Sequence, residues 1–181
     1  GKRSQIKSVE SYNRNLKKVE AGYVCGFTLH DEMYIQRGEL ASLENEQKPI
    51  CAKSICIKLF WLGQNPLATG KKYIVKFGHA KVNALVRKIS KSIDASSLDE
   101  KQNVDELHKN HIGECIFLLK RPIAFDLDIL ETSRFVLIDD YEICGGGFIL
   151  SANDDESKSE LEQIQLRNQK WIYGDITIDD S

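Results

Sequence analysis

The chain is 181 residues long, 41% hydrophobic and 29% charged, with a formal net charge of -2 at pH 7. This fits a soluble globular protein of one or two small domains. It excludes a membrane-spanning helix, which needs about 20 consecutive apolar residues, and it offers no overall positive field to draw in nucleic acid.

Residues 1–20 open the chain with Lys2, Arg3, Lys7, Arg14, Lys17 and Lys18 against Glu10 and Glu20, a local net of +4. No apolar run follows Gly1-Lys2-Arg3-Ser4, so no signal peptide is expected. From Gly22 to Leu29 the pattern is period two: Tyr23, Cys25, Phe27 and Leu29 share one side, as in a half-buried strand. Arg37-Gly38 reads as a turn, and the polar run Glu44–Lys48 before Pro49 as a domain boundary. Ser54–Leu62, Tyr73–Phe77, Cys115–Leu119 and Arg134–Asp139 are further strand candidates. Turn residues separate them at Gly63-Gln64-Asn65-Pro66, Thr69-Gly70 and Phe77-Gly78. Asp105–Lys109 reads as a single helical turn. Ser157–Asn168 reads as a short helix, with Leu161 and Ile164 at helical spacing and Ser159 three residues before Glu162 as a capping box. The polar stretch Ser151–Lys158 reads as a linker, and residues 151–181 carry eight acids against Lys158, Arg167 and Lys170. Many short strands with glycine-marked turns predict an all-β barrel or sandwich.

The residues that could carry chemistry form no recognisable centre. Gly63–Lys71 ends in Gly-Lys like a phosphate-binding loop, but six residues separate the two glycines where four are required, and Lys72 stands where a hydroxyl should bind magnesium. It reads as a strand-connecting turn. Gly145-Gly146-Gly147 offers backbone amides to an anion but is more simply a bulge or a tight strand entry into Phe148-Ile149-Leu150. His108 and His111 have helical metal-ligand spacing without a convincing third partner, and His30 and His79 stand apart. Asp139 and Asp140, adjacent on a strand, point to opposite faces and do not converge on one atom. Cys25, Cys51, Cys56, Cys115 and Cys144 are odd in number, lack knuckle spacing and sit among apolar residues, as reduced core cysteines of a cytoplasmic protein do. No catalytic, cofactor-binding or metal-binding residue is assigned.

Read together, the motifs carry a resemblance. Leu59–Gly78, with Pro66-Leu67, Gly70, Tyr73 and Lys76, looks like the opening hairpin of the third domain of translation-factor (elongation factor Tu-like) GTPases. Asn110-His111-Ile112-Gly113 is similar to that family's Asn-x-Ile-Gly before a long strand. Pro122–Asp126 resembles the Pro-Leu-Ala-Phe-Asp motif of the GTPase subunits of sulfate adenylyltransferase. Arg134–Asp139 and Gly146–Ile149 resemble the closing strands of that barrel. Upstream, Gly1–Glu10, Glu20-Ala21-Gly22, Asp31-Glu32 and Arg37–Leu40 resemble the second half of the second domain. The tail Asn168–Ile178 is similar to the stretch that follows the barrels. Thr132-Ser133 departs from the Thr-Gly of the pattern.

The resemblance implies an antiparallel β-barrel of the translation-factor domain III type over 47–150, a partial domain II barrel over 1–46, and an acidic linker with a short C-terminal helix or tail over 151–181. It implies that GTP and magnesium belong on a nucleotide-binding domain outside this chain, and that these residues hold no cofactor. The implied partners are that GTPase domain and the ATP-sulfurylase subunit, which makes adenylylsulfate from ATP and sulfate. A translation-factor module docking tRNA is the alternative, supported by the basic first 20 residues and opposed by the overall charge. A partial barrel exposes strand edges, so residues 4–43 are expected either to pack on the 50–150 barrel or to pair with a second copy.

Overall fold

A computed structural model describes residues 2–11 and 18–153. They fall into two compact units, one ending at Gln36 and one beginning at Arg37.

The first unit is one antiparallel ladder, β1 (Ile6–Glu10) against β2 (Gly26–Leu29), with Val9 opposite Phe27. Hydroxyls stitch it across the strands: Ser8 Oγ and Thr28 Oγ1 lie 2.5 Å apart. At one end Ser4 Oγ donates to Asp31 at 3.0 Å and accepts from the Asp31 amide at 3.2 Å. The predicted alternation from Gly22 is shorter than expected. Gly22 takes φ +89° in a turn, Tyr23 and Val24 lie in solvent, and the strand starts only at Gly26. No described residue of this unit is buried.

The second unit is a closed barrel. Its strands are β3 (Ile50–Trp61), β5 (Lys72–Phe77), β6 (Lys81–Asp94), β9 (His111–Phe125), β10 (Arg134–Asp139) and β11 (Glu142–Ala152). Every pairing is antiparallel, in the ring order β3, β9, β6, β5, β10, β11 and back to β3. Closure removes the unpaired edges an open sheet would expose. Short pieces complete the ends. β7 (Glu100–Val104) folds back on β6, while β4 (Leu67–Ala68) pairs with β8 (Glu106–Leu107). A four-residue helix, α1 (Leu130–Ser133), leads into β10.

Period-two alternation fills the interior. Ile55, Ile57, Leu59 and Trp61 of β3 point inward with Cys115, Phe117 and Leu119 of β9, Tyr73, Val75 and Phe77 of β5, and Phe135 and Leu137 of β10. Each such large side chain contributes roughly 1.5–3 kcal/mol on burial. Bulges at Ala52/Ser54 in β3 and at Val86/Lys88 and Ile89/Lys91 in β6 let the long strands coil around the barrel.

The glycine triplet is a packing device within β11. Gly145 lies opposite Trp61 and Gly147 opposite Leu59 on the inner side. A Cβ on Gly147 would stand 1.9 Å from the Lys58 carbonyl oxygen, and one on Gly145 2.7 Å from that of Phe60. A Cβ on Gly63 would strike the Trp61 ring at 2.6 Å. Glycine therefore allows β11 to close against β3 and leaves a slot for the indole. Trp61 Nε1 donates to the Asn65 carbonyl at 2.9 Å, and the Trp61 ring meets Tyr73 edge-on at 5.7 Å.

Two further sequence expectations are corrected. Asp105–Lys109 is not a helical turn: Glu106 and Leu107 pair with β4, and Leu107 is buried beneath Gly113. Ser151 and Ala152, expected in a linker, end strand β11. The helix expected over Ser157–Asn168 lies outside the described residues.

Candidate docking face

The outer side of the barrel is unusual. Gly146 lies between Val136 on β10 and Phe60 on β3, and Phe60 pairs onward with Ile112 and Ile112 with Ile93. These residues alternate with the inward set, so they form one apolar row across five strands of the outer surface. Gly146 adds no side chain to this row, and Phe60 is 37% exposed. Towards the Trp61 end a second row joins Ile74, Ile138 and Ile143. On the other side runs a mixed row: Arg134, Phe148, Lys58, Glu114 and Lys91. Lys58 Nζ lies 3.4 Å from Glu114, and Lys91 Nζ lies 2.7 Å from Glu100. Phe60, Leu62, Ile143 and Phe148 are all exposed. Apolar rows bordered by a charged row have the anatomy of a protein-interaction surface.

Sequence candidates for chemistry are scattered. Gly63–Lys71 is a turn followed by strand, with Gly70 at φ +82°. Its Lys71 ammonium bonds Asp139 at 2.5 Å and lies 5.0 Å above the Tyr73 ring. The Asp139 hydrogen bond raises the Lys71 pKa. Asp139 ends β10, whereas Asp140 sits in the next turn at φ +43°. His79 Nε2 donates to the Ala124 carbonyl at 2.8 Å, and His30 lies in the first unit. Among the described residues no three His, Cys, Asp or Glu side chains gather as metal ligands. The cysteines are not uniformly core residues. Cys115 is buried and its thiol is pushed up to about 12, first by burial and then by Cys56 and Glu114. Cys56 is half-buried, and Cys51 is exposed because its strand position faces outward.

One constellation was invisible in the sequence. Ser92 Oγ lies 3.0 Å from His111 Nδ1, and His111 Nε2 lies 3.4 Å from Asp94. The residue types match a hydrolytic triad, but Ser92 is only 4% exposed, and a nucleophile must reach its substrate. The array ties the end of β6 to the start of β9, where Asp94 pairs with His111. Asp94 also accepts from the Ser96 hydroxyl and the Ser96 and Ser97 amides, which lowers its carboxyl pKa to about 2. Only the β6–β9 register brings these side chains together, so spacing along the chain gave no signal. A shallow open groove beside β2, lined by Phe27, Leu29, Met33 and Tyr34, belongs to the first unit.

The closed six-stranded barrel agrees with comparison to known proteins. Residues 54–150 match the GTP-eEF1A C-terminal domain-like family, and the chain belongs to that family. Its relatives are more particular. Sulfate adenylyltransferase subunit 1 of Aeromonas salmonicida is 33% identical over 141 residues, covering 77% of this chain and 30% of the relative. The same subunit of Shewanella woodyi is 31% identical over 76% of the chain and 29% of the relative. That of Colwellia psychrerythraea is 29% identical over 98% of the chain and 40% of the relative. The chain thus spans well under half the length of these relatives. The solved structure of sup35 complexed with GDP superposes at a TM-score of 0.71 with 14% identity, over 83% of this chain and 38% of that one. At that identity it shares the fold alone. Among the described residues no helix is long and apolar enough to cross a membrane.

Proposed function

We propose that this chain is a non-catalytic β-barrel module of a sulfate adenylyltransferase GTPase subunit. In this reading the barrel relays the nucleotide state of a separate GTPase domain to the ATP-sulfurylase subunit through a rigid-body change. GTP and magnesium sit on that separate domain, and the reaction from ATP and sulfate to adenylylsulfate takes place on the partner. The place of action is the cytoplasm.

The observation that carries the reading is the division between the barrel's two sides. The interior is filled by Trp61, Tyr73, Phe77, Phe117, Phe125, Phe135 and aliphatic side chains. The exterior presents apolar rows and a charged row across β10, β11, β3 and β9. A filled interior suits a rigid body that transmits motion, and an apolar exterior suits docking. The test is binding of the purified ATP-sulfurylase subunit to the full chain, beside GTP and ATP hydrolysis by the chain alone. Binding without turnover is expected. Turnover by the chain by itself overturns the reading. Pairing of strand edges between two copies is the second mode of association. Light scattering at rising concentration checks it, and a monomer throughout removes it.

A further inference from the structure

The β10–β11 hairpin closes on a two-residue turn. Asp139 pairs with Glu142, and the central residues Asp140 and Tyr141 take φ values of 43° and 73°. Turns with two positive φ values ordinarily carry Asn-Gly or Asp-Gly, because glycine has no Cβ to crowd the backbone. Here the second position holds tyrosine. Among the described residues nothing covers the ring, since Tyr141 is fully exposed. The chain therefore keeps a bulky aromatic in an unfavourable conformation while the ring contributes no burial to the barrel. Uncompensated strain of this kind points to a role outside the fold.

The surroundings define that role. Ile143, the next residue but one, is 63% exposed and belongs to the outward apolar rows. The Leu62 and Gly63 amides donate to the Cys144 carbonyl at 2.7 and 2.9 Å, which brings exposed Leu62 against the base of the hairpin. The tip is acidic as well, with Asp139, Asp140 and Glu142 in four residues and Lys71 bound to Asp139. Tyrosine is a favoured anchor because it offers a large contact area for little lost rotamer freedom. Acids around an anchor select a partner rim of opposite sign.

We propose that Tyr141 is a docking anchor that enters an apolar cleft of a protein partner, and that Lys and Arg on the cleft's rim meet Asp140 and Glu142. A second protein is favoured over the chain's own residues 151–181, because these carry eight acids against three cations, a net charge of the same sign as this tip. The inference rests on the docking function proposed above and assigns it a residue.

The experiment uses the full chain, the purified ATP-sulfurylase subunit and the variant Y141G. The substitution places Asp-Gly, a preferred pair, at the centre of this turn. The melting temperature of Y141G is therefore expected to rise by a few degrees, about what relief of an unfavourable φ yields. Affinity for the partner is expected to fall at least about tenfold, as for loss of an interface hot spot. In the double variant D140N/E142Q the association rate should fall and lose salt dependence, with dissociation little changed. Equal affinity of Y141G and the parent chain overturns the anchor and leaves the docking function standing. No binding by the parent chain overturns both. A lower melting temperature for Y141G overturns the strain argument. A self-associated chain that Y141G dissociates without partner overturns the assignment to a second protein.

Discussion

The two units carry similar local patterns and reach opposite outcomes. In residues 22–29 the aromatic and aliphatic side chains alternate as regularly as in residues 54–61, yet no described residue up to Gln36 is buried, whereas Ile55, Ile57, Leu59 and Trp61 are at most 1% exposed. Alternation selects an extended backbone, but burial requires a second surface. In the barrel, six strands return to the first and each inward row finds five others. A two-stranded ladder taken alone supplies no second surface and is marginal in water.

That contrast can be broken or sharpened by mutation. The largest effect is expected at Phe117, fully buried in β9. Phe117→Ala should cost about 3–5 kcal/mol in chemical denaturation; a cost below ~1 kcal/mol would mean that the interior is loosely filled. Gly147→Ala comes next. Its added methyl meets backbone, the Lys58 carbonyl oxygen, which cannot swing away. A loss of about 3 kcal/mol, or failure to express in soluble form, is expected from overpacking, and an unchanged melt would show that β11 need not approach β3 so closely. In the first unit Phe27→Ala should cost less than about 1 kcal/mol, because the ring is 46% exposed. A larger cost, read in the same denaturation series, would reveal burial of that ring by something beyond its own unit. The smallest effect concerns acid. Asp94 has its carboxyl pKa lowered from 3.8 to about 2 by the Ser96 and Ser97 hydrogen bonds. Below its ordinary value the unfolded chain takes up a proton that the folded chain does not, so this contribution is complete above about pH 4 and fades as pH falls towards 2. Asp94→Asn should flatten the fall in melting temperature across that window; an identical acid profile would remove the Asp94 contribution.

Much of the barrel could be read from the sequence, and the misses have physical causes. Tyr73–Phe77 and Arg134–Asp139 were legible because one buried face imposes a clean period of two. The 14-residue strand β6 was not. Val82, Ala84 and Val86 keep the period, but the bulges push the next buried residues to Ile89 and Ser92, a spacing of three. The glycine triplet announced a tight strand entry, but not that Gly145 and Gly147 make room for β3. The turn at Asp140-Tyr141 left no signal at all, because Asp-Tyr is not a turn pair by composition.

By itself, then, the sequence determined local geometry, the class of barrel and the order of its motifs, because strand alternation and turn chemistry act over a few neighbours. Only the tertiary structure decided which outward residues lie side by side. Phe60 is far along the chain from Val136 and Gly146, and the three become neighbours only through strand register. Register is set by closure of the whole ring, which no short window contains.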